Sequence, residues 1–200
     1  MKKNFFIIFL FILIAVILPN KSNSYSSDPK QFISEIVDEA KKILVESNSK
    51  EFKTNKLSEL ALKTVDIEGI GYYTLGNYRK ELSDKQMKKY SGLFRKYFLK
   101  SFTSRLTDYS DPKIDVLSAE VLNPKYTMVK SLLLATDKKP EVKIDWRIYT
   151  KDPNNPLIRD LIVEGLSLAR TQKEEFASVL ETNNGDVTKL FIALEEFINK

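Results

Sequence analysis

The stretch that decides the fold lies at residues 83–109 and reads SDKQMKKYSGLFRKYFLKSFTSRLTDY. Apolar and aromatic side chains recur in it every three or four residues, at Met87, Tyr90, Phe94, Phe98, Phe102, Leu106 and Tyr109. This period predicts one amphipathic helix, about 40 Å long, and the capping-box pattern of Ser83 and Gln86 places its start. A helix of that length needs a broad surface to lie against.

The opposite side of this predicted helix is basic. Its lysines and arginines are Lys85, Lys88, Lys89, Arg95, Lys96, Lys100 and Arg105. Such a run is typical of a solvated face, and it is also suited to an acidic partner or an anionic membrane surface. The apolar stripe has two interpretations as well, an ordinary core face or one wall of a ligand cavity, because both have the same composition.

The first 24 residues have the order of a secretory signal peptide. Lys2 and Lys3 precede an apolar run at residues 5–18, and a polar segment follows from Asn20. Fourteen apolar residues are too few to span a bilayer easily, so we expect cleavage near residue 24. Residues 25–200 then form a single exported domain, because this length holds one core but not two comfortable ones.

The composition excludes several classes of active site. The chain has no histidine and no cysteine, so it holds no Ser-His-Asp or Cys-His arrangement, no disulfide and none of the usual nitrogen and sulfur ligands of zinc. We therefore expect no metal and no cofactor. The formal net charge of +5 falls to about +2 without residues 1–24, which argues against nucleic acid as a partner.

In the N-terminal half of the domain, segments with a helical pattern come before four segments with a strand pattern. An apolar stripe from Phe32 to Leu44 follows Pro29, a second helical segment covers about 55–64, and the glycines at 69, 71 and 76 predict short helical turns. Four extended segments come next, at about 113–121, 126–136, 141–150 and 157–165. The turns between them are short, which favours antiparallel pairing in a meander.

The C-terminal part returns to helical patterns. Thr171 with Glu174 predicts a capped helix start, and Asp186 is suited to cap a last amphipathic helix. Helices, then strands, then helices predict an α+β fold. In this fold the helices pack on one face of a curved, roughly four-stranded antiparallel sheet.

Five blocks of the chain resemble successive blocks of the MlaC family, also called toluene-tolerance auxiliary proteins. They are TLGNYR at 74–79, the helix at 83–109, VKIDWR at 142–147, DLIVEGLSL at 160–168 and EF at 175–176. They follow the family's order over residues 28–194, behind a family-like signal peptide. One departure is Pro156-Leu157, where family members often have a Trp shortly before the fourth block.

The resemblance implies a non-enzymatic periplasmic phospholipid carrier. Such proteins shuttle lipid between an outer-membrane lipoprotein-porin complex and an inner-membrane ABC transporter that carries an MCE-domain subunit. In the family fold, the acyl chains lie in an apolar cavity between the sheet and the helices, and the headgroup lies near the mouth. We expect a monomer that binds phospholipid and no nucleic acid.

Two groups of residues are the predicted lipid site. The cavity wall consists of Phe94, Phe98, Phe102, Leu132, Leu134, Ile144, Trp146 and Val163, each of which is equally suited to an ordinary core. Tyr78 and Arg79 are predicted at the mouth, where an arginine can donate two parallel hydrogen bonds to a phosphate. The alternative for Arg79 is a solvated side chain.

Arg147, Asp160 and Glu164 are the remaining candidate residues. Two carboxylates four residues apart on a strand share a face but lie about 13 Å apart, beyond the separations that glycoside chemistry uses. We therefore predict a structural ion pair with Arg147. Two other functions stay open: a small exported enzyme with a carboxylate base such as Asp160, and an adaptor that docks through the basic helix face.

Overall fold

The computed structural model describes residues 25–137 and 140–200. In this part of the chain the helices are α1 (Pro29–Val45), α2 (Lys50–Thr64), α3 (Ile67–Leu75), α4 (Asp84–Leu106), α5 (Leu168–Thr182) and α6 (Val187–Asn199), with a 3-10 helix at Gly76–Lys80. The strands are β1 (Ile114–Asn123), β2 (Tyr126–Leu133), β3 (Val142–Tyr149), β4 (Leu157–Val163) and β5 (Leu166–Ser167). The predicted α+β class is confirmed. The signal-peptide prediction falls on residues 1–24, outside the described residues.

The sheet is an open antiparallel meander in the order β1-β2-β3-β4-β5. The predicted meander is confirmed, and it gains a fifth strand of two residues, in which Ser167 pairs with Ile162. One extra residue interrupts β4, because Arg147 pairs with Asp160 and Ile148 pairs with Ile158, which leaves Arg159 as a bulge. This bulge decides which side chains of β4 share a face.

The first core lies between α1 and the sheet. Its buried residues are Phe32, Ile33, Ile36 and Val37 on α1, Leu60 on α2, and Val129, Ile148 and Ile158 on the sheet. The start of α1 is as predicted, since Pro29 occupies the first turn and Asp28 accepts a hydrogen bond from the Gln31 N–H over 2.8 Å. The helical period therefore brings the apolar stripe of α1 onto the sheet.

The second core consists of helical residues. Its buried members are Ile67, Ile70, Leu75, Tyr90, Phe94, Ala169, Phe176, Leu180, Val187, Leu190, Phe191 and Leu194, from α3 to α6. Both α3 and α5 contact β4. Val65 packs against both cores and forms a parallel bridge with Ile158. The helical core is therefore attached to the sheet on the β4 side.

The helix α4 packs against α2, α3 and α6. Its predicted capping box is confirmed, because Ser83 Oγ accepts from the Gln86 N–H over 3.4 Å and Gln86 Oε1 accepts from the Ser83 N–H over 2.9 Å. The helix ends at Leu106, so Tyr109 lies outside it. Of the predicted stripe, Tyr90 and Phe94 are buried, and burial raises the pKa of the Tyr90 hydroxyl.

The glycine-containing segment before the 3-10 helix forms the regular helix α3. The predicted short helical turns are wrong here, because the segment forms one helix of nine residues. Asp66 caps this helix by accepting a hydrogen bond from the Gly69 N–H over 2.9 Å. Gly71 serves packing: an added Cβ would lie 2.9 Å from Phe94 Cδ1. Gly76 ends the helix with a φ of 56°, a conformation that favours glycine.

The starts of two other helices differ from the sequence patterns. α2 begins at Lys50 with Ser49 as its N-cap, ahead of the predicted start near residue 55. α5 begins at Leu168 with Ser167 as its N-cap, so the predicted capping box at Thr171 is wrong. The Thr171 hydroxyl instead donates to the Ser167 carbonyl over 3.0 Å. The predicted cap of α6 by Asp186 is confirmed.

Candidate functional site

One side of the sheet is apolar along four strands. Strand register and two-residue alternation place the same-side residues of β1 to β4 together. We call this side the apolar sheet face; it comprises Ile114, Val116, Val129, Leu133, Val142, Ile144, Trp146, Ile148, Ile158, Leu161 and Val163. At one end Val129, Ile148 and Ile158 are buried beneath α1. That end is ordinary core.

The other end of the apolar sheet face is only partly covered. Its residues are half-buried, and we call them the open end: Leu133, Val142, Ile144, Trp146, Leu161 and Val163. Three of the predicted wall residues lie here, since Ile144 pairs with Val163 across β3 and β4 and Trp146 follows on the same side. The structure therefore brings Ile144, Trp146 and Val163 together on one apolar surface.

The polar atom of Trp146 is satisfied within the sheet. Its indole N–H donates to Ser131 Oγ over 2.8 Å, and the Ser131 hydroxyl donates to the Ile144 carbonyl over 2.9 Å. Ser131 is itself buried and needs hydrogen-bond partners, and these two bonds supply them. The indole ring of Trp146 is thus held in the sheet with no unpaired polar group.

The other two predicted wall residues of the sheet lie on its opposite side. Leu132 pairs with Lys143, and Leu133 pairs with Val142 on the apolar sheet face. Leu134, just beyond β2, alternates to the side of Leu132. The placement of Leu132 and Leu134 beside Ile144 is therefore wrong, and Leu133 takes that place. Three successive leucines contain no signal that distinguishes the two registers.

The aromatic residues of α4 lie among helices. Phe94 is 2% exposed, and its ring is 5.7 Å from that of Tyr90 and 6.2 Å from that of Phe176, so it is a residue of the helical core. Phe98 and Phe102 are half-buried and stack with ring centroids 6.0 Å apart. Their packing leaves part of each ring accessible, whereas Phe94 has almost no surface left for a ligand.

The predicted mouth residues lie in the 3-10 helix after α3. Tyr78 packs against the helical core, and an added Cβ on Gly185 would lie 3.7 Å from its ring. Arg79 is exposed. The structure does not bring either residue into contact with the open end, so their role at a lipid headgroup stays a prediction.

Asp160 is a structural carboxylate between strand and helix. It is 5% exposed and accepts hydrogen bonds from the Ser167 hydroxyl over 2.6 Å and from the Ala169 N–H over 3.0 Å. Arg147 Nη1 lies 3.5 Å from its Oδ2, which forms the expected pair. These contacts join β3, β4 and the first turn of α5. They support a structural role for Asp160 and argue against a role as a catalytic base.

Glu164 is not part of this ion pair. It lies beyond β4 with a φ of 49°, next to Gly165 with a φ of 81°, in the two-residue turn that leads to β5. Its carboxylate accepts a hydrogen bond from the Lys143 N–H over 2.5 Å and so extends the pairing with β3. The predicted arrangement of Asp160 and Glu164 on one face of a strand is therefore wrong.

A cleft of about 400 Å³, lined by both polar and apolar side chains, lies beside Arg147. Arg159 also lines it, and sequence analysis missed that residue because nothing in its neighbourhood indicates a partner at Asp66. The Arg159 guanidinium lies 2.6 Å from Asp66 Oδ2, donates to Tyr126 Oη over 3.0 Å and lies 3.7 Å above the Tyr149 ring. Burial alone would lower the pKa of Arg159, but these hydrogen bonds outweigh it and raise the pKa. The two arginines are thus each balanced by an aspartate.

Comparison with known proteins identifies the family of this chain. A family model described as MlaC protein matches residues 30–196. The chain belongs to the MlaC family. Among solved structures, this MlaC-family chain is similar to a phospholipid-binding protein from Ralstonia solanacearum that was solved in complex with a phospholipid. The two are 18% identical, the match covers 87% of this chain and 97% of that one, and the TM-score is 0.71. At this identity the likeness shows a shared fold.

The sequence blocks that resemble the MlaC family have structural roles in this chain. In the first block the Thr74 hydroxyl and the Tyr90 hydroxyl are 2.7 Å apart, and Gly76 ends α3. In the fourth block Asp160 and Ser167 join the sheet to α5. Five of the six residues of the open end also lie in these blocks, in the third and the fourth, and the register of the strands brings them together.

No helix in residues 25–137 and 140–200 combines the length and the apolar character needed to cross a membrane. In the same residues, no group of three acidic side chains is placed to hold a metal ion. The open end is the candidate site, because it is apolar and only partly covered.

Proposed function

We propose that this MlaC-family protein is an exported phospholipid carrier whose acyl-chain site is the open end of the apolar sheet face. The observation that carries the proposal is this apolar surface, because it is shared by three strands and only partly covered by the rest of the chain. Family membership supports it, and so does the shared fold with a protein solved in complex with phospholipid.

The energetics of lipid transfer favour a surface of this kind. Two acyl chains carry about 30 methylenes, whose exposure to water would cost on the order of 25 kcal/mol. A carrier must offset this cost and must also release the lipid, so apolar area serves it better than charged anchors. The open end fits this need, since the polar groups of Trp146 and Ser131 are bonded to the protein.

The predicted wall is revised by these positions. We assign Leu133, Ile144, Trp146 and Val163 to the acyl-chain surface and exclude Phe94, which belongs to the helical core. Phe98 and Phe102 stay candidates for a second wall, because both rings are half-buried. Arg79 stays a candidate for contact with a headgroup phosphate, since its guanidinium is exposed and can donate two parallel hydrogen bonds.

The cellular setting belongs to the same proposal. The signal-peptide pattern of residues 1–24 supports export to the periplasm. There the protein would receive or deliver lipid at an outer-membrane lipoprotein-porin complex and at an inner-membrane ABC transporter with an MCE-domain subunit. A catalytic function is less well supported, because the candidate base Asp160 is buried and bonded to Ser167, Ala169 and Arg147.

The first test is native mass spectrometry of the protein purified without detergent, followed by organic extraction. We expect close to one phospholipid molecule per protein, because the open end is a single continuous surface. The extracted lipid would also identify the headgroup and chain lengths. A protein that arrives without lipid and takes none from vesicles would contradict the proposal.

The second test places a bulky side chain on the open end. Val163→Trp should reduce lipid loading at least tenfold, since the indole would fill space that we assign to acyl chains. The matched control is Val121→Trp, because Val121 is 75% exposed on β1, and this variant should load normally. Circular dichroism checks that both variants fold, and full loading of folded Val163→Trp would contradict the assignment of the site.

A further inference from the structure

Four exposed cations lie on one side of α4, in its first four turns. They are Lys85, Lys88, Arg95 and Lys96, which we call the α4 cationic face. Helical geometry places all four within an arc of about 100°. None of them forms a salt bridge or a side-chain hydrogen bond with another described residue. Nearby Lys89 is different, because its Nζ lies 3.1 Å from Glu195 Oε1.

The charge of the chain is concentrated around this face. Residues 79–105 carry nine basic side chains and two acidic ones. The rest of residues 25–200 carries twenty basic and twenty-five acidic side chains. A molecule that is positive on one helix and negative elsewhere is oriented by an electric field, so a negatively charged surface attracts it with α4 foremost.

We propose that the α4 cationic face binds reversibly to the surface of an anionic phospholipid bilayer. Three of its four cations are lysines, and Gly92 lies among them with open space beyond its Cα. Cores of protein interfaces are depleted in lysine and enriched in aromatic residues, which this face lacks. Anionic headgroups require no shaped pocket and attract lysines near the surface, which matches an exposed cluster of cations on one helix.

Binding of the α4 cationic face to a bilayer is separate from the carrier function and does not require a lipid inside the protein. Because the four side chains are exposed, salt should screen their attraction to the bilayer. Binding should therefore depend on anionic lipid and on ionic strength. A mechanism that extracts lipid into an apolar site would show neither dependence to the same degree.

The test is flotation of the protein with vesicles of phosphatidylcholine alone or with about 30 mol% phosphatidylglycerol. We expect binding to the anionic vesicles at about 20 mM salt and release at about 500 mM salt. The variant Lys85→Gln, Lys88→Gln, Arg95→Gln and Lys96→Gln should bind at least tenfold more weakly. Glutamine is a good helix former, so α4 should keep its structure.

The matched control removes four other exposed lysines that form no salt bridge in the described residues, by Lys30→Gln, Lys50→Gln, Lys63→Gln and Lys125→Gln. It should bind anionic vesicles within about twofold of the unchanged protein, because its charges lie outside the α4 cationic face. Equal weakening of both variants would overturn the proposal, as would equal binding to neutral vesicles. Binding to polyglutamate without binding to vesicles would overturn it in favour of an acidic protein surface. Lipid loading, measured separately by native mass spectrometry, should be unchanged in both variants.

Discussion

Single residues decide how closely the helices of this protein approach one another, and Gly71 is the clearest case. Because an added Cβ would lie 2.9 Å from Phe94 Cδ1, we predict that Gly71→Ala lowers the free energy of unfolding by about 1–3 kcal/mol. Urea denaturation followed by circular dichroism measures the change. The buried aromatic cluster around Phe94 cannot move away without disturbing Tyr90 and Phe176.

Gly92 supplies the control for this prediction. It also lies inside a helix, but an added Cβ would meet no atom within 4 Å. Gly92→Ala should therefore raise the free energy of unfolding by about 0.5–1 kcal/mol, through the better helix propensity of alanine. If both variants changed stability in the same direction and by similar amounts, the close approach of Phe94 to Gly71 would not be the cause.

Asp160 is the second residue on which the fold depends. Asp160→Ala removes the acceptor of the Ser167 hydroxyl and the Ala169 N–H and leaves Arg147 without its carboxylate. We predict a loss of about 3 kcal/mol in the free energy of unfolding, measured by urea denaturation. Asp115→Ala is the control, since Asp115 is exposed on β1, and it should change stability by less than about 0.5 kcal/mol. A small effect of Asp160→Ala would show that these bonds are replaced by water.

At the scale of helices and strands, the starts of α4 and α5 show which features follow from the local sequence and which follow from tertiary contacts. Ser83 and Gln86 lie three residues apart and satisfy each other, so the start of α4 is readable from the sequence. Thr171 and Glu174 form the same capping-box pattern in the sequence, yet α5 begins earlier, at Leu168. The pairing of β5 with β4 and the hydrogen bond from Ser167 to Asp160 bring Ser167 into the cap position.

This difference gives a direct prediction for α5. Ser167→Ala should cost about 1–2 kcal/mol in the free energy of unfolding, because the cap of the Arg170 N–H and the bond to Asp160 are both lost. Thr171→Ala should cost less than about 0.5 kcal/mol, since its hydroxyl bonds only to the Ser167 carbonyl. Chemical denaturation of the two variants compares them. The opposite order would mean that the helix starts at Thr171 in solution.

The register of the sheet shows the same distinction between local and tertiary information. The alternation in β3 indicates a half-buried strand, and the strand is found where the pattern predicts it. The run from Leu132 to Leu134 indicates a strand but not which leucine lies on the apolar sheet face. The pairing of Leu132 with Lys143 decides that question, and Lys143 belongs to a different strand.

At the scale of the whole molecule, the protein consists of a sheet with α1 and a helical core, joined near Val65 and β4. A ligand on the open end would add apolar contacts to the sheet and so stabilise the folded state. We predict that removal of bound phospholipid lowers the melting temperature by about 5–10 °C, as expected for a site about 99% occupied. Calorimetry of the loaded and the delipidated protein measures this shift.

The Val163→Trp variant is the control for that shift. Because it should not load lipid, its melting temperature should be the same before and after exposure to phospholipid vesicles. The unchanged protein should gain the full shift on reloading. A similar gain in both proteins would mean that the lipid stabilises the fold from a place other than the open end.

The sequence by itself determined the α+β order, the stripes of α1 and α4, the cap at Ser83, the meander and the resemblance to the MlaC family. These features depend on residues within a few positions of one another, or on the order of blocks along the chain. These features can therefore be predicted from the sequence alone.

The sequence also predicted Ile144, Trp146 and Val163, but only the tertiary structure decided that Leu133 joins them, that Phe94 is core and that Arg159 pairs with Asp66. The open end requires the register of three strands, Phe94 becomes core because Phe176 packs against it, and Arg159 is held by Asp66. In each case the partner is distant in sequence. The free energy of such contacts depends on which surfaces meet after folding, and no local pattern records that choice.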